Sequence, residues 1–156
     1  MRAGALTSTD FLVSRASLLD LFAIQRQQRV CFGSDAYDLI TLFSLAITPG
    51  TLNLKALHNN VLVGYIAAEI NRSDKCGWIV TVGVLPDYTG RGIATALLLS
   101  VEQQLNLPRL RLTVRSHNQR AISLYERLGY RWSGTHRKYY RDGEDGLMME
   151  KIVTSA

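Results

Sequence analysis

Cysteine is scarce in this chain. Cys31 and Cys76 stand far apart among 156 residues and form no Cys-x-x-Cys, which argues against a zinc ribbon and a disulfide framework and leaves two buried or incidental thiols. The three histidines, His58, His117 and His136, also lack metal-ligand spacing, so no metal is assigned. Long apolar runs are missing. The longest uncharged stretch, Leu39 to Leu54, is interrupted by Pro49-Gly50 and falls short of the roughly 18 to 20 apolar residues of a membrane-spanning helix. The first ten residues carry one basic side chain and no sustained apolar run, so they do not read as a secretory leader. The expectation is a cytoplasmic chain with no membrane contact. Proline is rare as well, three residues in all, and no repeat or low-complexity linker divides the sequence. With 47% hydrophobic and 20% charged residues, residues 1–156 are expected to fold as one globular domain.

Acidic residues are sparse where basic ones gather. Between Arg109 and Arg141 stand nine basic residues and one acid, Glu126. Such a run is most often a solvated face, and otherwise the footprint of a polyphosphate ligand or of RNA.

Ser17 and Asp20 form a capping-box pair ahead of Leu18, Leu21, Phe22 and Ile24, which predicts a helix to about Arg29. Cys31 to Asp35 breaks the pattern, and a second helix over Tyr37 to Leu45 ends before Pro49-Gly50. Thr51–Leu57 and Val61–Ile70 read as a hairpin across His58-Asn59-Asn60. Gly77–Leu85 is nearly continuously apolar and is expected to be the central strand. A helix opening at Gly90 carries Ala94, Leu97, Leu98, Val101 and Leu105 on one face. Leu110, Leu112 and Val114 then alternate with Arg109, Arg111, Thr113 and Arg115, so Thr113 lies on the polar face of a strand. A helix from Asn118 to Leu128 stops at Gly129, and Tyr130–Tyr140 and Leu147–Val153 form two last antiparallel strands. The fold class is α+β, with a central mixed, mostly antiparallel sheet and about four helices.

A buried strand, a short break and Gly90-Arg91-Gly92-Ile93-Ala94-Thr95 at a helix start form a geometry suited to phosphate. Glycines admit close backbone approach, free first-turn amides donate hydrogen bonds, and the helix dipole adds about half a positive charge. A dinucleotide fold would place a ribose-binding acid about 20 residues on, where this sequence has Arg109, Arg111, Thr113 and Arg115. A P-loop needs Gly-Lys-Ser/Thr, which is also missing.

The run Thr89-Gly90-Arg91-Gly92-Ile93-Ala94 resembles the Gln/Arg-x-x-Gly-x-Gly/Ala motif of the GNAT superfamily of acetyl-CoA-dependent N-acetyltransferases, departing from it at the first position. The family's second motif, Asn-x-x-Ala-x-x-Leu-Tyr-Glu-x-x-Gly-Phe/Tyr, is matched without a gap by Asn118, Ala121, Leu124, Tyr125, Glu126, Gly129 and Tyr130. The run from Thr135 to Met149 is similar to the ending of RimI-type enzymes, which acetylate protein N-termini. Cys31-Phe32 is loosely similar to their acceptor-binding segment.

The resemblance implies a GNAT-like fold and roles residue by residue. Backbone groups of Val82, Gly83 and Val84 would meet the pantetheine arm of acetyl-CoA, Gly90 to Thr95 would hold the pyrophosphate, and Asn118 would touch the cofactor arm. Tyr125 matches the general acid that protonates the departing thiolate, while Phe32, Thr113 and Tyr139 would border the acceptor. RimI-type enzymes carry a glutamate base where this chain has Thr113, which cannot serve as a base at neutral pH. Glu69 and His117 are the substitutes, and water-mediated deprotonation is the other route. The implied activity is direct acetyl transfer from acetyl-CoA to a primary amine, foremost a protein N-terminus. The alternatives are a small-molecule amine (polyamine, amino acid or antibiotic) and a non-catalytic CoA- or RNA-binding module, with nucleic acid not the expected partner.

Overall fold

Among the described residues, alternation and helical periodicity turn into seven strands and four α-helices. The structure, a computed structural model, describes residues 10–153. In chain order the elements are β1 (Leu12–Arg15), α1 (Leu21–Phe32), α2 (Leu39–Ile47), β2 (Thr51–His58), β3 (Val61–Asn71), β4 (Cys76–Val84), α3 (Ile93–Leu105), β5 (Arg109–Arg115), α4 (Gln119–Arg127), β6 (Arg131–His136) and β7 (Gly146–Ile152). Short 3-10 turns precede α1, α2 and α3. The strands form one mixed sheet in the order β1-β2-β3-β4-β5-β7-β6, with β4 in the middle as its apolar sequence predicts. β4 and β5 run parallel and pair over Cys76–Trp78 and Arg109–Arg111. β5 pairs antiparallel with β7 along its full length.

Local chemistry explains the turns. Asn59 and Asn60 both adopt left-handed backbone, φ 49° and 65°, the conformation a two-residue hairpin turn requires and asparagine tolerates. Gly129 ends α4 at φ 105°, which a Cβ would strain.

The described residues divide into two compact units, 10–68 with 81–101, and 69–80 with 102–153. The first has Ile24, Leu42, Leu54, Ile66, Leu97 and Leu98 at its core. A Cβ on Gly64 of β3 would lie 3.0 Å from Ile93 and 3.2 Å from Leu97, so the missing side chain lets α3 approach that strand. In the second unit Leu110, Leu112 and Val114 are buried with Ile122, Tyr125, Tyr130 and Met149. Fully burying side chains of this size is worth about 1.5–3 kcal/mol each.

Leu12–Arg15, where the sequence predicts no element, forms an edge strand, β1, paired antiparallel with β2 from Leu12↔Leu57 to Arg15↔Leu54. The structure also corrects three sequence expectations. The first helix continues through Cys31 and Phe32 to its end before Gly33, because Ile24, Gln27, Gln28 and Cys31 share one face. Residues 90–92 precede α3, which starts at Ile93. β6 ends at His136, so Tyr139 sits in the connection to β7 and not on a strand.

Candidate active site

The turn into α3 has the backbone that glycine permits. Gly90 and Gly92 adopt φ 80° and 86°, and a Cβ at either would meet nothing within 4 Å. The backbone conformation, not packing, requires glycine here, and open space lies beside both residues. The carbonyl of Gly92 accepts from the Ala96 amide, so α3's hydrogen bonding begins there. Among the described residues no side chain reaches the amides of Ile93, Ala94 or Thr95. Unpaired amides and open space fit a pyrophosphate. Arg91 is exposed, with its guanidinium 4.8 Å from the Tyr88 ring centre and 3.4 Å from the Asp10 carboxylate.

Within the same unit α1 lies against the end of β4. Gln28, fully buried, donates from Nε2 to Thr81 Oγ1 at 3.1 Å and accepts from the Tyr37 amide at 3.2 Å. The Cys31 thiol donates to the Val84 carbonyl at 3.3 Å, and burial pushes its pKa up to about 11. Gln27 donates from Nε2 to Cys31 Sγ at 3.2 Å. A Cβ on Gly83 would stand 3.0 Å from the Phe32 ring and 3.1 Å from Gln27 Nε2. Phe32 and Gly83, given separate roles by the sequence, are therefore neighbours. Sequence reasoning missed Gln27 and Gln28, although polar residues at i+3 and i+4 from Ile24 on an inward helix face were the signal.

In the second unit Thr113 lies between Arg111 and Arg115 on the less buried face of β5, as its alternation predicts. Its Cγ2 is 2.7 Å from where a Cβ on Gly146 would be, and the Tyr139 ring is 3.1 Å from that same point. Thr113 and Tyr139 thus both border Gly146. Tyr139 is stacked on His136 at 5.3 Å and edge-on to Tyr140 at 5.0 Å.

His117 and Asn118 open α4. The His117 amide donates to Glu144 Oε2 at 2.9 Å, and the ring Nδ1 bonds the same oxygen. Burial alone would raise the Glu144 pKa, but the His117 amide, Arg115 and the His117 ring outweigh it and hold it at about 2. Asn118 Oδ1 accepts from the Ala121 amide at 3.2 Å. Tyr125 is 8% exposed and edge-on to Tyr130, with centroids 5.9 Å apart. Burial, then the nearby Tyr140, pushes its pKa up to about 12, and its hydroxyl has no hydrogen bond among the described residues. Glu69 is exposed near the end of β3 and makes no ion pair among them.

Part of the basic run is locally neutralised. Arg109 and Arg111 lie 3.6 and 2.7 Å from Glu150, and Arg115 lies 2.9 Å from Asp142 and 2.7 Å from Glu144. These carboxylates, Asp142, Glu144 and Glu150, all lie beyond Arg141, outside the run.

The family model for acetyltransferases of the GNAT type matches residues 18–130, from the turn before α1 to the end of the second motif. This chain belongs to the GNAT acetyltransferase family. The acetyltransferase is 32% identical over 146 residues to the N-terminal acetyltransferase A complex catalytic subunit NAA10 of Arabidopsis thaliana, covering 89% of this chain and 76% of that protein. It is 34% identical over 99 residues to N-alpha-acetyltransferase RimI of Mycobacterium tuberculosis, covering 62% of this chain and 63% of that protein. The ribosomal-protein-S18-alanine N-acetyltransferase from Escherichia coli has a crystal structure similar to this acetyltransferase, with a TM-score of 0.84, 26% identity, and 94% and 96% of the two chains covered.

Proposed function

We propose that this acetyltransferase moves an acetyl group from acetyl-CoA to the α-amine of a protein N-terminus. The uncapped start of α3, with two positive-φ glycines beside open space, carries the donor half of this reading. Backbone amides of residues 92–95 hold the pyrophosphate, Val82 to Val84 line the pantetheine arm, and Asn118 touches that arm. Acetyl-CoA supplies an acyl thioester, which a neutral amine can attack.

Tyr125 donates a proton to the departing sulfur. A phenol whose pKa is pushed up to about 12 remains protonated throughout the physiological range, so the donor is always loaded. Burial raises a thiol as well, as it does Cys31 to about 11, so a thiolate leaving in similar surroundings is a closer match to the phenol than its value in water indicates.

The acceptor half is supported by relatives named for N-terminal acetylation; Phe32, Thr113 and Tyr139 are the residues assigned to border the acceptor. An α-amine has a pKa near 8 and must lose a proton before attack. With threonine at 113, the proton leaves to water, with exposed Glu69 and the Glu144-bound His117 as weaker substitutes. The transfer rate therefore climbs with pH through the amine's own pKa.

The test is incubation with acetyl-CoA and peptides bearing free or formylated N-termini, alongside polyamines and free amino acids. Released CoA is followed by a thiol reagent and the acetyl group is located by mass spectrometry. Acetyl is expected on the free α-amine and absent from formylated peptides that retain a lysine. Transfer confined to small amines or to lysine side chains overturns the N-terminal acceptor.

A further inference from the structure

The basic run between Arg109 and Arg141 divides in the folded chain. Arg109 and Arg111 are answered by Glu150, and Arg115 by Asp142 and Glu144. The last three members of the run are not answered. Arg137, Lys138 and Arg141 stand exposed in the connection from β6 to β7, and none of their side chains has an ion pair or hydrogen bond among the described residues.

This connection is not short of acids, but each has another task. Asp142 pairs with Arg115 at 2.9 Å and accepts from the Glu144 amide at 3.1 Å. Glu144 holds Arg115 at 2.7 Å and accepts from the His117 amide at 2.9 Å. Asp145 Oδ1 accepts from the Lys138 amide at 2.9 Å, and the Asp145 carbonyl from the Ser116 amide at 3.1 Å. These bonds fix the course of the connection, and they leave its three cations without counter-ions. The surplus is not cancelled nearby in the sequence. Residues 109–156 hold ten basic and five acidic side chains, an excess equal to the net charge of +5 of the whole chain.

The place of this charge says what meets it. Tyr139 stands between Lys138 and Arg141, and its ring and Thr113 both border Gly146. In the function proposed above, Thr113 and Tyr139 border the acceptor. Only the acceptor's α-amine has to reach the acetyl carbon, so the residues that follow it pass the segments around the entrance. In an extended chain the third to sixth residues lie roughly 7 to 18 Å from the amine, which is the reach of long side chains one or two positions from Tyr139. Single-stranded RNA fits less well, because it stacks its bases on open aromatic rings. The Tyr139 ring is already stacked on His136 at 5.3 Å and edge-on to Tyr140 at 5.0 Å.

We propose that Arg137, Lys138 and Arg141 form a docking surface for acidic side chains at about the third to sixth residues of the acceptor, so that the enzyme favours N-termini carried on acidic segments. This rests on the N-terminal acceptor reading and adds to it the charge of the acceptor beyond its first residues.

The experiment measures kcat/KM for three peptides identical except at residues three to six, which are all glutamate, all glutamine or all arginine, so that none gains a second amine. At low ionic strength the glutamate peptide is expected to exceed the glutamine peptide by about 10-fold, the combined effect of a few exposed ion pairs, and the arginine peptide to trail both. The difference should lie mainly in KM and should nearly vanish at about 1 M salt, where the screening length is about 3 Å. Arg137→Glu with Arg141→Glu is expected to invert the order of the three peptides, whatever happens to the overall rate. Arg72→Glu with Lys75→Glu makes the same change of net charge in the turn between β3 and β4 and is expected to keep the order. If that second pair abolishes the preference as fully as the first, the overall field is responsible and the proposal is overturned. Inhibition by a short single-stranded RNA, relieved in the Arg137 and Arg141 variant and unaccompanied by any peptide preference, overturns it in favour of a nucleic acid. Failure to acetylate any of the peptides overturns the N-terminal reading and this one with it. Acetylation of all three at equal kcat/KM overturns this one alone.

Discussion

The starts of α3 and α4 differ in one respect that separates a ligand site from a structural one. At α4 the Asn118 side chain accepts from the Ala121 amide. At α2 Asp38 accepts from the Thr41 amide, and Ser17 accepts from the Leu19 amide in the 3-10 turn that runs on into α1. At α3 the residue before the helix is Gly92, which has no side chain to offer, and its neighbours offer none. A missing cap costs about 1 kcal/mol, and the two glycines at φ 80° and 86° add backbone entropy that folding must overcome. Such a start is retained where something other than the protein completes it. In the function proposed here that is the cofactor's pyrophosphate, while α4, closed by its own cap, carries the proton donor on a fixed frame.

The largest effect expected from this division lies on α4. Tyr125→Phe retains the ring packed edge-on to Tyr130 and removes only the proton, so transfer should slow by about 10²- to 10⁴-fold with CoA affinity nearly unchanged. Single-turnover kinetics, in which product release cannot mask chemistry, provide the measurement. An unaltered rate would return Tyr125 to the core as a packing residue and leave α4 with no chemical task.

A smaller effect belongs to α3. Gly92→Val introduces a β-branched residue at positive φ and fills space that is open in the protein, so it strains the turn and obstructs backbone approach to a phosphate without striking a protein atom. Losing two charge-assisted hydrogen bonds lowers CoA affinity by about 10²-fold or more. Calorimetric titration of the folded variant tests this, and equal affinity would mean that the uncapped start is not the anion site.

The same division governs how much could be read from the sequence. The glycine turn and the helix from Asn118 that carries Tyr125 were legible because each depends on a few consecutive residues and a backbone preference. β1 was not, since a four-residue edge strand has too little alternation to stand out and exists through its pairing with β2. The approach of Phe32 to Gly83 joins residues distant in sequence through packing that no local pattern encodes. The charge run was only partly legible for a related reason, because Glu144 and Glu150 lie after it and reach Arg109, Arg111 and Arg115 only once β7 pairs with β5. The departure at Thr113 is plain in sequence, but that Thr113 and Tyr139 both border Gly146 had to be seen.

The smallest effect decides whether Asn118 belongs to one side of the comparison or to both. Its Oδ1 is committed to the Ala121 amide, whereas its Nδ2 has no partner among the described residues and can face a ligand. Asn118→Ala removes the cap and should cost about 1 kcal/mol of stability in the free protein, measured as a lower urea midpoint at unchanged slope. Asn118→Asp keeps an oxygen acceptor for the cap and removes the donor, so the free protein should melt like the wild type. Saturating CoA stabilises whichever form binds it, by an amount that grows with affinity. If Asn118 also holds the cofactor arm, the Asp variant gains less from CoA than the wild type does, because it has lost a hydrogen-bond donor and placed a carboxylate near an anionic ligand. If the two gain equally, Asn118 is a cap and nothing more, and the ligand contacts of this acetyltransferase gather on β4 and the open start of α3.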